Sequence, residues 1–286
     1  MALDKVEIAA AWTTDPGWET WPVLDVRPAT EFAAGHLIGA VSYPLAPGPL
    51  EDHLPSIFLP PRHVPLLVVA GNQAAADRLA ADLAGRGRDR VQGLGLASGD
   101  IPRHCLETGP SGAHLWAAPD WLTAHADLLP PPAAGPVLDL GCGSGRAAVW
   151  LAERGYAVTG MDREVEALEM GRVLAASRGT ACDFRAADLR DPSVIPAGPW
   201  SVILNFRYLQ RDILPLMPRL LRPGGVVLLR TFRDAPGYSG HPHPKHRLAR
   251  GDLLKAFPRG QFDILAHAED FDGDGRPAAG IVARRN

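Results

Sequence analysis

Cysteine is scarce. The chain has three, Cys105, Cys142 and Cys182, at wide and unrelated spacings. That excludes a disulfide framework and the paired-cysteine pattern of zinc sites. Long apolar runs are missing too: none approaches the ~20 residues that a membrane-spanning helix needs. The first residues lack the basic-then-apolar pattern of a secretory signal. A cytoplasmic location without a membrane partner is therefore the expectation. Strong charge of one sign is also absent, since 29 Lys and Arg stand against 32 Asp and Glu, a net of −3. What is present is apolar content of 46% over 286 residues. That is enough for real cores and long enough for two domains, and it excludes a disordered chain.

The charge is unevenly divided. Residues 1–108 hold 8 Lys/Arg and 13 Asp/Glu, a net of −5, and residues 109–286 hold 21 and 19, a net of +2. Within the latter, residues 205–260 hold 11 basic and 3 acidic side chains, a net of +8. Such a segment suggests either an anionic substrate drawn by a basic field or an ordinary solvated face.

Val137-Leu-Asp139-Leu-Gly141-Cys-Gly143-Ser-Gly145 is the most informative stretch. An apolar run that breaks into alternate glycines reads as a buried parallel strand, a tight turn and a helix, here expected over 146–154. Glycines let a backbone approach a ligand closely, and open α/β sheets bind nucleotide-like ligands beyond the carboxyl ends of their strands. From Gly143, the spacing Gly143-x-Gly145-x-x-Ala148 also fits a dinucleotide fingerprint. Asp139 decides against that ligand, because an acid ahead of the first glycine repels a pyrophosphate and attracts a cation. The motif resembles the first motif of class I S-adenosylmethionine-dependent methyltransferases, whose cofactor carries an ammonium and a sulfonium and no phosphate.

The resemblance continues downstream. Ala157-Val-Thr-Gly-Met-Asp162 reads as a second strand ending in an acid, 23 residues after Asp139. A carboxylate there can take both ribose hydroxyls. A helix is expected over 164–177, with Val165, Leu168, Val173 and Leu174 on roughly one face. Cys182 to Leu189 reads as a third strand ending in an acid, and the resemblance gives Asp188 the adenine amine and Leu189 the packing on the ring. The run 200–206 is a fourth strand. At its end stands Asn205-Phe-Arg207-Tyr208 in place of the family's acid or Asn-Pro-Pro-Tyr-like element, so the resemblance assigns no base. Asn205, Arg207 and Tyr208 are expected on the methyl-transfer face, with Asn205 also against the cofactor. Pro223-Gly-Gly225 before the strand 226–232 is a further family feature. The last strands are expected over 262–266 and 280–283.

The N-terminal part carries Pro22-Val-Leu-Asp25-Val-Arg27, then Glu31-Phe32, then Gly35-His36-Leu-Ile-Gly39-Ala-Val41. In order, these elements resemble a rhodanese domain over about 5–108. The strand 65–70 and the helix 74–84 would flank the loop in which a working rhodanese holds its cysteine thiolate. Here Ala70 is followed by Gly71-Asn72-Gln73, and the next cysteine is Cys105, 35 residues on. The resemblance therefore implies a silent rhodanese fold used for docking, dimerisation or substrate presentation. The stretch 109–135 is expected as linker and cap helix, with Trp116, Trp121 and Leu122 on the helix and Pro130 to Pro136 as a stiff connection. That helix serves either the cofactor site or interdomain packing.

Two local signals are weaker. His241-Pro-His243-Pro-Lys-His246 could present imidazoles to a metal, but two prolines keep it extended and no cysteine pair is near. It reads as a substrate loop with His243 or His246 as a base or anion contact, and no metal is expected. Asp270-Phe-Asp272-Gly-Asp274-Gly275 begins like a calcium loop, but its twelfth position is Ile281 instead of a bidentate acid; it reads as a polar hairpin turn.

The expected architecture is α/β in two domains: a rhodanese-like domain over 1–108, then, over 136–286, a Rossmann-like methyltransferase with a mostly parallel seven-stranded sheet and, as the resemblance implies, an antiparallel last strand. The cofactor contacts expected are Asp139, Gly141, Gly143, Gly145, Asp162, Asp188, Leu189 and Asn205. Methyl transfer from S-adenosylmethionine to a small acceptor, anionic or with a thiol or chalcogen nucleophile, is the expected activity. An RNA methyltransferase and a non-enzymatic partner-binding protein are the alternatives.

Overall fold

The computed structural model describes residues 21–45, 54, 56–96, 106–110 and 114–286, apart from the side chain of Ser56. Cys105 lies outside the described residues. The chain divides into two compact units, one up to Ala117 and the other Ala118–Asn286.

In the first unit, strands β1 (Val23–Asp25), β3 (Ala40–Ser42), β4 (Leu66–Ala70) and β5 (Val91–Gly95) form a sheet in the order β3-β1-β4-β5. All three ladders are parallel. The short β2 (His36–Leu37) and β6 (Leu106–Glu107) pair antiparallel beside it. The apolar β4 is buried at every position, as a strand covered on both faces must be. Helix α2 (Gln73–Gly85) is capped by the Asn72 side chain, which accepts from Ala75 N at 2.9 Å. It lies directly on β5: a Cβ added to Gly93 would come within 2.5 Å of the Ala76 backbone.

The polar motif of this unit has a structural explanation. Arg27 is 2% exposed and Asp25 0%. The guanidinium donates to both Asp25 oxygens, with 2.6 Å the shortest distance, and Arg27 Nη2 also donates to the Gly35 carbonyl at 2.9 Å. That carbonyl follows helix α1 (Ala29–Ala34), so the pair ties the end of β1 to the end of the helix. One turn on, His36 stacks on Phe32 with ring centroids 3.7 Å apart, and its Nδ1 bonds the Phe32 carbonyl.

The second unit holds strands β7 (Val137–Leu140), β8 (Val158–Asp162), β9 (Asp183–Ala186), β10 (Trp200–Phe206), β11 (Leu221–Phe232), β12 (Phe262–Phe271) and β13 (Pro277–Arg285). They form one sheet in the order β12-β13-β11-β10-β7-β8-β9. The four ladders from β11 to β9 are parallel. Both ladders made by β13 are antiparallel, so the sheet is mixed. Helices α4 (Arg146–Ala152) and α5 (Val165–Ser177) join the first three strands. The chain then crosses back to place β10 on the other side of β7. The reversal creates a switch point between the carboxyl ends of β7 and β10.

The last two strands are longer than the sequence suggests, because their ends are held by charge. Arg230 on β11 pairs with Asp270 and Asp272, both at 2.7 Å. Arg207 and Arg276 both pair with Asp274. Asp270 to Gly275 is a hairpin turn, closed by the Asp272 amide on the Arg276 carbonyl at 2.8 Å. The third strand is shorter than expected and ends at Ala186, two residues before Asp188. Helix α3 (Asp120–Ala124) lays Trp121 on β13, where a Cβ on Gly280 would stand 2.7 Å from the indole. The expected cap helix therefore packs on the antiparallel flank.

Removing one member of the buried Asp25–Arg27 pair strands a charge in the core. Arg27→Met is expected to cost ~3–5 kcal/mol. Hydrogen exchange of the β4 amides should accelerate by roughly 10²-fold or more, while exchange in β10 and β11 stays unchanged.

Candidate active site

The glycine loop follows β7. Gly141, Gly143 and Gly145 all have left-handed φ, at 72°, 53° and 69°, a region that residues with a Cβ rarely adopt. Two of them also lack room. A Cβ on Gly141 would lie 2.5 Å from the Tyr208 ring, and one on Gly145 would run into Phe184. Space beside Gly143 is open.

Asp162, at the end of β8, holds this loop. Its Oδ2 accepts the Gly143 amide at 2.8 Å and its Oδ1 the Glu164 amide at 3.0 Å. Both oxygens keep a free lone pair for a further donor. Behind them, Asp139 is only 2% exposed. Burial, reinforced by the neighbouring Asp162 charge, pushes its carboxyl up to about 7. The expected strand-end acid is thus a buried member of an acid pair.

A cavity of about 370 Å³ opens at the switch point, within the ~300–1,000 Å³ range of small-molecule sites. Six of the sequence-predicted residues line it: Gly141, Asp162, Asp188, Leu189, Arg207 and Tyr208. Asp188 faces it in an ion pair with Arg190, whose guanidinium holds the carboxyl down at about 2. Leu189 is buried beside it. Burial raises the Tyr208 phenol above its ordinary value, helped by Asp188 and Asp162. Arg207 is the one non-glycine among the described residues with positive φ, 55°. Its guanidinium reaches Asp274 at 2.9 Å and Asp272 at 3.3 Å.

Others expected at the site stand apart from the lining. Asp139, Gly143 and Gly145 lie in the strand and loop behind it. Asn205 is 2% exposed and donates its Nδ2 to the Leu140 carbonyl at 2.9 Å, which ties the ends of β10 and β7 together. His243 Nδ1 accepts the Lys245 amide at 3.2 Å, capping the turn Pro244–His246. Instead His241, Pro242 and His246 present this loop to the cavity. The lining also includes Arg163, Arg190, Gln210 and Phe232. The arginines follow the two acids within two residues, a signal available in the sequence; Phe232 comes from the end of β11 and had none.

The basic segment is largely neutralised. Arg207, Arg211, Arg230, Arg247, Arg250 and Lys255, six of its eleven cations, pair with carboxylates. Four of these acids, Glu269, Asp270, Asp272 and Asp274, lie just beyond residue 260. Of the segment's Lys and Arg side chains, Arg207 lines the cavity, and it is paired with Asp272 and Asp274. Among the described residues, burial holds both thiols in the protonated form, pushing Cys182 up to about 12 and Cys142 higher still. Among the described residues, no three His, Cys, Asp or Glu side chains are grouped to hold a metal ion.

Residues 137–225 match the methyltransferase domain family. A ubiquinone biosynthesis O-methyltransferase of Erwinia tasmaniensis is 30% identical over 151 residues, 51% of this chain and 59% of that protein. The enzyme of the same name from Vibrio parahaemolyticus is 34% identical over 101 residues, 34% of this chain and 43% of its own length. The chain thus spans about half the length of the curated relatives it matches. Among solved structures, TehB from Haemophilus influenzae superposes with a TM-score of 0.49 at 21% identity, over 58% of this chain and 62% of that one. The segment that matches the methyltransferase domain family contains the glycine loop, Asp162, Asp188 and the strands β7 to β10 that form the switch point.

Proposed function

We propose that the protein transfers the methyl group of S-adenosylmethionine to a small-molecule acceptor bound in the cavity at the switch point. The observation that carries this reading is the placement of two carboxylates with different tasks beside a glycine loop. Asp162 has both oxygens oriented by backbone amides and a lone pair left on each, which suits a vicinal diol. Asp188 and the buried Leu189 stand further along the same wall, where they suit an amine and the face of a flat ring. Asp162 at the cavity, with the buried Asp139 behind it, offers negative potential to a cationic ligand. When bound, the cofactor supplies an electrophilic methyl on a sulfonium, so the protein's contribution is alignment and exclusion of water. Tyr208 closes one side of the cavity by packing on Gly141. Arg207, fixed by the Asp272 and Asp274 carboxylates, closes another.

A small acceptor is supported by the size of the cavity and by the pairing of six of the eleven cations of the basic segment, Arg207 at the cavity among them. Hydroxyl, thiol and chalcogen nucleophiles are all compatible with methyl transfer. The curated relatives are named as O-methyltransferases, and that favours oxygen.

For the N-terminal unit we propose a rhodanese-like fold without sulfur-transfer chemistry, serving as a docking or dimerisation module. Its support is the Asp25–Arg27 pair, the Phe32–His36 stack, the parallel sheet, and a loop after β4 in which Asn72 caps the helix and no cysteine stands. The proposed boundaries remain 1–108, 109–135 and 136–286.

Calorimetric titration with S-adenosylmethionine, with NADH as control, tests the main reading; absence of binding by the former overturns it. Asp162→Ala removes the charged acceptor of the diol, a loss worth roughly 1.5–3 kcal/mol for a charge-assisted bond. Affinity is expected to fall by about 10- to 100-fold.

The acid pair also sets a pH dependence. A buried carboxyl with a raised value favours its neutral form, so the free protein loses stability as pH rises from the ordinary carboxylate range to about 7. A cationic ligand favours the ionised form. Binding at pH 6 is therefore expected to release a proton, visible as a buffer-dependent binding enthalpy. Asp139→Asn should abolish that dependence.

A further inference from the structure

Arg247 is 3% exposed, yet it lies in the polar segment between β11 and helix α6 (Asp252–Ala256). Its guanidinium is surrounded by acceptors from the preceding loop. Nε donates to the Pro242 carbonyl at 2.7 Å, Nη1 to the Tyr238 carbonyl at 3.0 Å and to Asp234 Oδ1 at 3.1 Å, and Nη2 to the Gly240 carbonyl. The group also lies 4.8 Å from the centroid of the Tyr238 ring. One planar fork with five donors thus gathers four acceptors spread over residues 234–242. The loop wraps around it and turns His241, Pro242 and His246 to the cavity.

The other ionisable groups of the lining are committed. Asp188 is held by Arg190 and its carboxyl is a weak base. Both oxygens of Asp162 accept amides, and Glu164 pairs with Arg163 at 2.7 Å. The Tyr208 phenol stays protonated, and the arginines are cations. Among the described lining residues this leaves the two imidazoles. The His241 carbonyl accepts the Tyr238 hydroxyl at 2.8 Å. His246 sits on the capped turn, its amide on the His243 carbonyl at 2.8 Å, and directly precedes the buried Arg247. His246 is exposed, and slight desolvation, with Lys245, His243 and His241 nearby, holds its imidazole below the ordinary value; the neutral ring keeps one nitrogen lone pair. Phe232, Leu209, Pro242 and the Tyr208 ring supply an apolar lining that accommodates an aromatic ring.

We propose that His246 is the catalytic base for a weakly acidic aromatic hydroxyl on the methyl acceptor, with Arg247 as the positioning residue that holds its loop. The inference rests on the methyl-transfer reading above. The acceptor O–H bond breaks and an oxygen electron pair forms the new O–CH₃ bond. The donor C–S pair goes to sulfur. The proton passes to the free imidazole nitrogen of His246 and then to solvent. A base is needed because a simple phenol ionises near ~10, well above the working pH.

The test is a series of para-substituted phenols, from phenol to 4-nitrophenol, methylated by the full chain. His246→Gln is expected to lower the rate with phenol by ~10²–10⁴-fold. The loss should shrink steadily toward 4-nitrophenol, which is already ionised. His241→Gln and Arg247→Lys should affect the series evenly, the latter through KM. A second readout needs no turnover: in the complex with S-adenosylhomocysteine, bound 4-nitrophenol should turn yellow at lower pH in the wild type than in His246→Gln. An even loss in His246→Gln, a graded loss in His241→Gln instead, or failure of every phenol to bind or react overturns the proposal. Failure of the wild type to bind S-adenosylhomocysteine overturns the methyl-transfer reading itself and is seen separately by calorimetry.

Discussion

The site depends on one carboxylate. Asp162 accepts the Gly143 amide from one element and the Glu164 amide from the next. In doing so it pins the glycine loop after β7 to the turn that starts α5. The three left-handed glycines let the loop fold tightly enough to meet it, and the neighbouring Asp139 carboxyl is driven toward neutrality by its burial and, secondly, by the Asp162 charge. Loop shape, acid placement and affinity for a cationic ligand are therefore one arrangement.

A second set of charges shapes the opposite wall. Arg207, Arg230 and Arg276 converge on the acids of the β12–β13 turn. Arg247 does for the preceding loop what those acids do for the hairpin, supplying donors where the backbone has carbonyls to satisfy. Arginine suits both tasks because its planar fork keeps its charge when buried and serves several acceptors at once. Charge that looks like a ligand field in the sequence is largely spent on building the walls.

Much of the second unit was legible in advance. The glycine spacing, the apolar runs and the acids that close them mark β7, β8 and β10 and place Asp162 and Asp188 at the site, because strand ends and turns are written in local residue types. Boundaries failed where long-range pairing decided them. β12 and β13 extend because Arg230 holds their far ends, and the third strand stops at Ala186, short of its acid. Asn205 reads as a catalytic side chain in the sequence, and in the fold its Nδ2 donates to the Leu140 carbonyl, a bond across 65 positions. His243 reads as well as His246, and only the turn geometry separates a capping ring from one that lines the cavity.

The sequence by itself determined the α/β class, the glycine loop and the strand-end acids Asp162 and Asp188, since these follow from backbone chemistry within a few residues. The tertiary structure decided which candidates share a cavity, which carboxylates pair with the basic segment and which histidines line the cavity. Those outcomes are set by contacts between elements distant in the chain, and neither periodicity nor spacing encodes them.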